Sequence, residues 1–371
     1  MGRMQQTSPE PVDPFASVLA RLPPDLDLES LARETKALRR RRGLRSAAAL
    51  LRLSLAWSCG GQSLQSVAAW AAEQGIAALT DEALIQRLHQ AGPFLRAVSN
   101  RLLPGAGACP AWRGRTFRIA DSSSLSQRGS KGTDWRIHAV YDLGQGGFSH
   151  VEITDTHGGE ALDRGQPVAG EIRVGDRGYA NAQAWQRYLE ACPDGVDFIV
   201  RMRWNTIRLH DAAGELFNLI DWLRDRPADA EIHEVTVRVQ SGQRQEPLEI
   251  RLIARRKTQE AIEKANKSLR QQASRKQTRL DPRSLIAAEY LVLATSLSAE
   301  EFPAEEVLSA YRLRWQIELA FKRLKSLMRI DKLPTRTEAG TQCWLYAHLI
   351  VALLCDDLSQ DLLESFPSGP C

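Results

Sequence analysis

Residues 310–328, AYRLRWQIELAFKRLKSLM, set a tyrosine, an arginine, a glutamate and a lysine among large apolar side chains. Wound at about 3.6 residues per turn, Tyr311, Arg314, Glu318 and Lys325 fall within roughly 60° of one another. The same winding puts Leu313, Ile317, Ala320, Phe321, Leu324, Leu327 and Met328 on a wider adjoining stripe, the pattern of a helix packed on a core. Arg314 with Glu318, and Glu318 with Lys322, are also opposite charges at the i, i+4 spacing of ordinary surface pairs. A joint role for the four polar residues therefore depends on carboxylates elsewhere in the chain that Glu318 can join.

Two strand ends supply them. Asp121 closes FRIAD and Asp176 closes IRVGD, each where an apolar run gives way to a Ser/Gly-rich loop. Singly, such an aspartate is often no more than a turn or cap acceptor. If neighbouring strands present both at one sheet edge, a helix beside them brings Glu318 into the same cleft. Three carboxylates at close quarters repel one another and call for cations, and all-oxygen ligation selects magnesium, with manganese able to substitute. A pair of such ions about 4 Å apart activates a water or a 3′-hydroxyl on one side and stabilises the leaving oxygen on the other.

With 371 residues, 43% hydrophobic and 25% charged, the chain has the composition of a globular protein of two or three domains. No run reaches the ~18 apolar residues of a membrane span, and MGRMQQTSPEPVDPF has no apolar signal core, so the expectation is a cytoplasmic protein without a membrane partner. Cys59, Cys109, Cys192, Cys343, Cys355 and Cys371 lie far apart with no CxxC pair, which points to reduced thiols and no zinc site. A net charge of +4 says little about nucleic acid, but the positive charge is concentrated. KALRRRRGLR (Lys36–Arg45), with Arg39, Arg40, Arg41 and Arg42, is one basic run, and Arg255–Arg283 is another. Each reads either as a solvated helix face or, flanking a carboxylate cleft, as a set of phosphate contacts.

Along the chain, a proline-rich leader gives way to helical patterns from Leu26 to about Leu103, with Ser63 and Thr80 placed as N-caps. LPGAGACPAW (Leu103–Trp112) is a Pro/Gly break. Beyond it TFRIADS, DWRIHAVYDL, FSHVEITDT, EIRVGDRGY and VDFIVRMR read as strands, with GQGG a hairpin turn between the second and third and a helix, ANAQAWQRYLEAC, between the fourth and fifth. Short polar strands and the basic helix follow, then a buried strand in AEYLVLATSL. The pattern predicts an N-terminal helical region over 1–110, a mixed sheet with helices over 111–203, a β-rich basic insertion over 204–285, and a return to the sheet layer over 286–371. His138 and Asp142 read as strand-face residues, while Arg128, Lys131 and Arg136 flank the first aspartate where they could line a DNA path.

Asp121 in IADSS, Asp176 in GDRGY, and the spacing Tyr311-x2-Arg314-x3-Glu318-x6-Lys325 resemble the DDE transposases of bacterial insertion sequences, specifically the subgroup with a YREK signature. The resemblance runs from about Thr116 to Met328. It implies an α/β, ribonuclease H-like core with a β-rich insertion, which accounts for the 142 residues between Asp176 and Glu318, and an N-terminal all-α DNA-binding domain. It further implies that Asp121, Asp176 and Glu318 bind Mg²⁺ and catalyse phosphoryl transfer. Tyr311, Arg314 and Lys325 would then hold the DNA backbone beside the metals, and Trp204 would either stack on a displaced base or, as the commoner use of such a residue, pack at the core or its rim. The expected activity is cutting at the ends of a mobile element and joining of the freed 3′-hydroxyls to target DNA, by a dimer on paired ends. Alternatives are a ribonuclease H-like nuclease or resolvase that does not join, and an inactive DNA-binding relic, against which the three intact carboxylates argue. The chain departs from the family pattern at Ser122 and Ser123, where relatives often carry glycine or alanine and then threonine. It continues for about forty residues past the signature helix, little room for a separate dimerisation domain.

Overall fold

The computed structural model describes residues 15–39, 41–103, 110–127, 129–130, 132–226, 232–242, 246–328, 333 and 337–365. Arg40, Arg128 and Lys131, expected to face DNA, lie outside the described residues. The chain opens with α1 (Ala16–Leu19), α2 (Leu28–Glu34), α3 (Ala47–Cys59), α4 (Leu64–Glu73) and α5 (Asp81–Leu102). Ser63 and Thr80 cap α4 and α5 as the sequence predicts, each accepting from the backbone N–H three residues on. There follow β1 (Pro110–Trp112), β2 (Arg115–Leu125), β3 (Trp135–Asp142), β4 (Gly147–Asp155), β5 (Glu171–Gly175), α6 (Ala182–Glu190) and β6 (Asp197–Arg201). Next come β7 (Leu209–His210), β8 (Leu216–Phe217), α7 (Leu219–Arg224), β9 (Ile232–Val239), β10 (Leu248–Arg256), α8 (Gln259–Lys276), α9 (Pro282–Ala288) and β11 (Tyr290–Thr295). The chain then runs through α10 (Ala304–Arg312), α11 (Trp315–Met328) and α12 (Glu338–Ser365).

The strands form one mixed sheet in the order β4-β3-β2-β5-β6-β11-β10-β9-β7-β8, with β1 added on β2. Its first five strands make the ribonuclease H-like layer, in which β5 runs parallel to both β2 and β6. The segment after β6 does not build a sheet of its own. It returns as β11, which pairs antiparallel with β6, and β10 and β9 extend the same sheet outward. A single apolar core runs beneath both halves, joining Phe198, Val200 and Trp185 to Leu252, Val292 and Val237.

Arginines buried in the sheet fix its centre. Arg118 of β2 pairs with Asp142 of β3 at 2.9 Å and with Glu171 of β5 at 3.0 Å, and all three are almost wholly buried. Arg173 reaches the other oxygen of Glu171 at 2.6 Å, and Tyr188 of α6 donates to that oxygen at 3.3 Å. Asp142 is thus the strand-face residue expected, satisfied by an arginine. His138 is also a packed strand residue, its Nε2 3.0 Å from Thr154 Oγ1, and burial pushes its pKa down to about 4. Buried charges of this kind hold their place only when each has its partner, so they pin β2, β3 and β5 to one register.

Contacts divide the chain into two compact units: Met1–Gly105 with Ser124–Trp135 and Lys322–Cys371, and Ala106–Ser123 with Arg136–Phe321. In the first, α12 packs on α5 and α3, so the helical unit draws on both ends of the chain rather than on its N-terminal part alone. Arg39, Arg41 and Arg42 are exposed there; Arg41 pairs with Glu29 at 2.9 Å, while the carbonyl of Arg42 accepts from Arg87. Among the described residues, no helix is long and apolar enough to cross a membrane.

Candidate active site

The parallel register of β2 on β5 decides where the aspartates stand. Thr116 lies opposite Glu171, Phe117 opposite Ile172, Arg118 opposite Arg173 and Ile119 opposite Val174, and the same offset carries Asp121 onto Asp176. Asp121 Oδ1 accepts from the N–H of Ser122 at 2.8 Å, and Asp176 Oδ1 accepts from that of Gly178 at 2.7 Å. The charges are close enough to be felt. Burial first, and then the charges of Asp176 and Glu160, push the Asp121 carboxyl up to about 6, against the opposing effects of the Ser122 N–H and Arg314. Burial, followed by the charges of Asp121, Glu160 and Asp176, likewise holds the Tyr179 phenol well above its ordinary value.

The stretch 310–328 departs from the single helix its periodicity predicts. It breaks at Leu313 and Arg314, where the chain tightens into i→i−3 bonds from Leu313 to Ala310, Arg314 to Tyr311, Gln316 to Leu313 and Ile317 to Arg314. Tyr311 therefore ends α10, Arg314 sits in the turn, and Glu318 opens α11. The expected apolar stripe loses Leu313, which is 39% exposed, and Trp315 and Leu319 beside Glu318 are exposed too, while Ile317 and Phe321 are buried. Phe321 meets Phe148 of β4 with ring centroids 6.0 Å apart and holds the start of α11 against the sheet.

That break does not scatter the polar residues. Arg314 donates to Glu318 Oε1 at 2.6 Å and stands 3.8 Å from Asp121 Oδ2, and its backbone N–H donates to the carbonyl of the buried Tyr311 at 3.1 Å. One guanidinium thus links the first aspartate and the glutamate. Lys325 is half-buried in the last turn of α11, in the part of that helix that belongs to the helical unit. Trp204 is half-buried against the core; its indole N–H donates to Ser284 Oγ at 3.3 Å and Arg283 lies 4.5 Å over its ring.

Sequence reasoning missed Glu160. It lies in the loop before β5, where its Oε1 accepts from Ser122 Oγ at 2.6 Å. Ser122, a departure from the family pattern, is thus the residue that ties this carboxylate to Asp121; a glutamate after two glycines in a loop gave no periodicity to read. The GDRGY motif also has a steric meaning. A Cβ on Gly175 would lie 2.7 Å from Cβ of the buried Tyr179, and one on Gly178 would lie 1.5 Å from Glu160 Oε2. Tyr179 has nowhere to go, whereas Glu160 can swing away. Gly175→Ala is therefore expected to cost about 1–3 kcal/mol of stability, as overpacked sites do. Gly178→Ala should leave the melting temperature nearly unchanged and slow DNA cleavage by displacing Glu160. Paired thermal melts and single-turnover rates check both, and equal melts for the two variants would contradict the steric account.

The Transposase DDE domain family matches residues 112–354. This chain belongs to that family. InsL, from insertion sequence element IS186A of Escherichia coli K12, is 36% identical to this transposase over 359 residues, 96% of each chain. The transposase for insertion sequence element IS421 of Escherichia coli is 36% identical over 360 residues, again 96% of each. The transposase for IS231F of Bacillus thuringiensis subsp. israelensis is 27% identical over 238 residues, 59% of this chain and 49% of that one. DDE transposases cleave DNA and transfer its strands with the help of divalent metal. Among the described residues, no three His, Cys, Asp or Glu side chains stand close enough together to share an ion. The donor chemistry nevertheless fits: facing aspartates supply only oxygens, and the ionised form of Asp121 is disfavoured until a cation offsets its burial and its neighbours. Glu318, half-exposed at the start of α11, is held by Arg314 rather than by the core.

Proposed function

We propose that this transposase cuts DNA at the ends of its own insertion sequence and joins the 3′-hydroxyls to target DNA, using Asp121, Asp176 and Glu318. The observation that carries the reading is the single guanidinium of Arg314 shared between Asp121 and Glu318, on a sheet where Asp121 and Asp176 each stand two residues past the last parallel pair, Ile119 with Val174. Magnesium, or manganese in its place, held by these carboxylates would activate the attacking oxygen and stabilise the leaving one. Arg314 and Tyr311 bind and orient the scissile phosphate, arginine by its two-pronged donor face and tyrosine by one hydroxyl, and Lys325 adds a point charge along the strand. Trp204 contacts DNA within the insertion.

In this reading, residues 1–110, with Arg39 to Arg42, recognise the element ends, residues 111–203 and 286–371 supply the chemistry, and residues 204–285 form an added β-rich, basic region. The protein acts in the cytoplasm on nucleoid DNA, as a dimer when two ends are paired. The test is to incubate the protein with duplexes carrying the element ends, a supercoiled target and Mg²⁺, and to size the products on a denaturing gel. Strand breaks at the element ends together with higher-mass joined products are expected. Breaks alone point to a nuclease that does not join, and neither product, with binding retained, to an inactive DNA-binding relic.

A further inference from the structure

Beside the carboxylates, a cavity of about 570 Å³ opens at the end of β6 under α8 and α9. Arg177, Arg201, Arg203, Lys257 and Lys276 line it, and among the described residues no aspartate or glutamate does. None of the five is ion-paired among the described residues; Lys257 donates only to the carbonyl of Ala288, at 2.5 Å. Arg177, Arg203 and Lys276 are exposed around it, whereas Arg201 and Lys257 are half-buried. Burial first, and then the charges of Arg201 and Arg177, push the Lys257 ammonium down to about 8, which is what a cation lacking a counter-charge undergoes. The cavity adjoins the site, for Arg177 follows Asp176 directly and Arg201 lies within range of the charges of Asp176, Tyr311 and Arg314.

We infer that this cavity is a phosphate-binding subsite, which holds consecutive backbone phosphates of a single DNA strand leading away from the scissile bond. Five cations around one concave space, with no acid among them, focus a field that only an anion relieves. The volume is that of a ligand pocket and too small for a duplex, whose major groove alone is about 12 Å wide. Phosphates rather than a base are the better occupant. The Trp204 ring on the lining is covered on one side by Arg283, and its indole N–H is already donated to Ser284. The inference rests on DNA being the substrate of the neighbouring carboxylates.

The experiment uses the full chain in EDTA with a fluorescent ten-nucleotide single strand of arbitrary sequence, its affinity followed by anisotropy over a range of salt. Lys257→Gln, Arg203→Gln and Lys276→Gln should each weaken binding severalfold at low salt. Each should also reduce the slope of log K against log salt by about 0.7, the share of one released counterion on a single strand. Lys257→Arg should keep the wild-type slope, and Lys257→Gln should melt no lower than wild type, since it relieves repulsion. Unchanged slopes in all three glutamine variants overturn the subsite. Pyrophosphate that raises the melting temperature without displacing the oligonucleotide makes this a small-anion site and overturns it too. The measurement contains no metal and no cleavage, so its failure leaves the cleavage reading standing, and an inactive cleavage assay leaves the subsite standing.

Discussion

Asp121→Asn, assayed at pH 8 in EDTA, melts several degrees above the wild-type protein and cuts no DNA when Mg²⁺ is restored. Both effects have one cause. The Asp121 carboxyl is raised from 3.8 to about 6 in the fold, chiefly by burial and secondarily, on the raising side, by Asp176 and Glu160. A carboxyl whose folded pKa lies above its unfolded one favours the fold while protonated, and that contribution is lost as pH rises from about 4 to about 6. At pH 8 the wild-type protein carries the full burden, up to about 3 kcal/mol at 1.36 kcal/mol per pKa unit. Asparagine keeps an oxygen for the Ser122 N–H without the charge, and forfeits only the long contact to Arg314. The same missing charge removes a metal donor, so cleavage should fall by on the order of 10³-fold or more, in line with the loss of a principal electrostatic contribution to catalysis. Differential scanning calorimetry at pH 4 and pH 8 checks the stability half, and the gap between the variants should close at the lower pH. A variant that melts below wild type at pH 8, or that still cleaves, removes Asp121 from the role assigned to it.

Arg314→Ala should slow cleavage and joining by about 10²-fold, since a phosphate held out of line forfeits much of the positioning contribution. An ordinary surface pair predicts otherwise: well under about 1 kcal/mol of stability and an unchanged rate. Arg314 is also the cation that Asp121 and Glu318 now share, so its removal should tighten Mn²⁺ binding, measured by calorimetry, while the rate falls. A merely structural arginine would not divide the two readouts in that way. Arg314→Lys should restore little activity, because an ammonium cannot reach two acceptors in one plane. Parallel losses of metal affinity and rate would mean that Arg314 only maintains the shape of the turn.

The sequence was most legible where a period or a motif expressed a packing demand. Alternation and β-branching placed β2, β3, β4, β5, β6 and β11, and the resemblance carried by Asp121, Asp176 and Glu318 led to the right family. It was least legible where local geometry defeats a regular period. The helix of residues 310–328 breaks at Leu313 because successive i→i−3 bonds overwind the chain there, and no proline or glycine announces it. Glu160 reaches the site from a loop, where side-chain spacing carries no information. The pairing of β6 with β11 joins segments some ninety residues apart, beyond any local signal, so the insertion reads as a separate module when its strands in fact prolong the central sheet.

That distant pairing also sets an order of events during synthesis. At about 5–20 residues per second, several seconds separate the emergence of Arg201 from that of its partner Leu293. In that interval β6 pairs with β5 on one side and shows a bare hydrogen-bonding edge on the other, flanked by apolar Phe198, Ile199 and Val200. A nascent chain in that state is open to mispairing with another copy of itself. Completed chains escape the hazard, because β11 arrives to cover the edge. Chains terminated between β6 and β11 never receive it, and aggregation rather than partial activity is the fate the topology assigns to them.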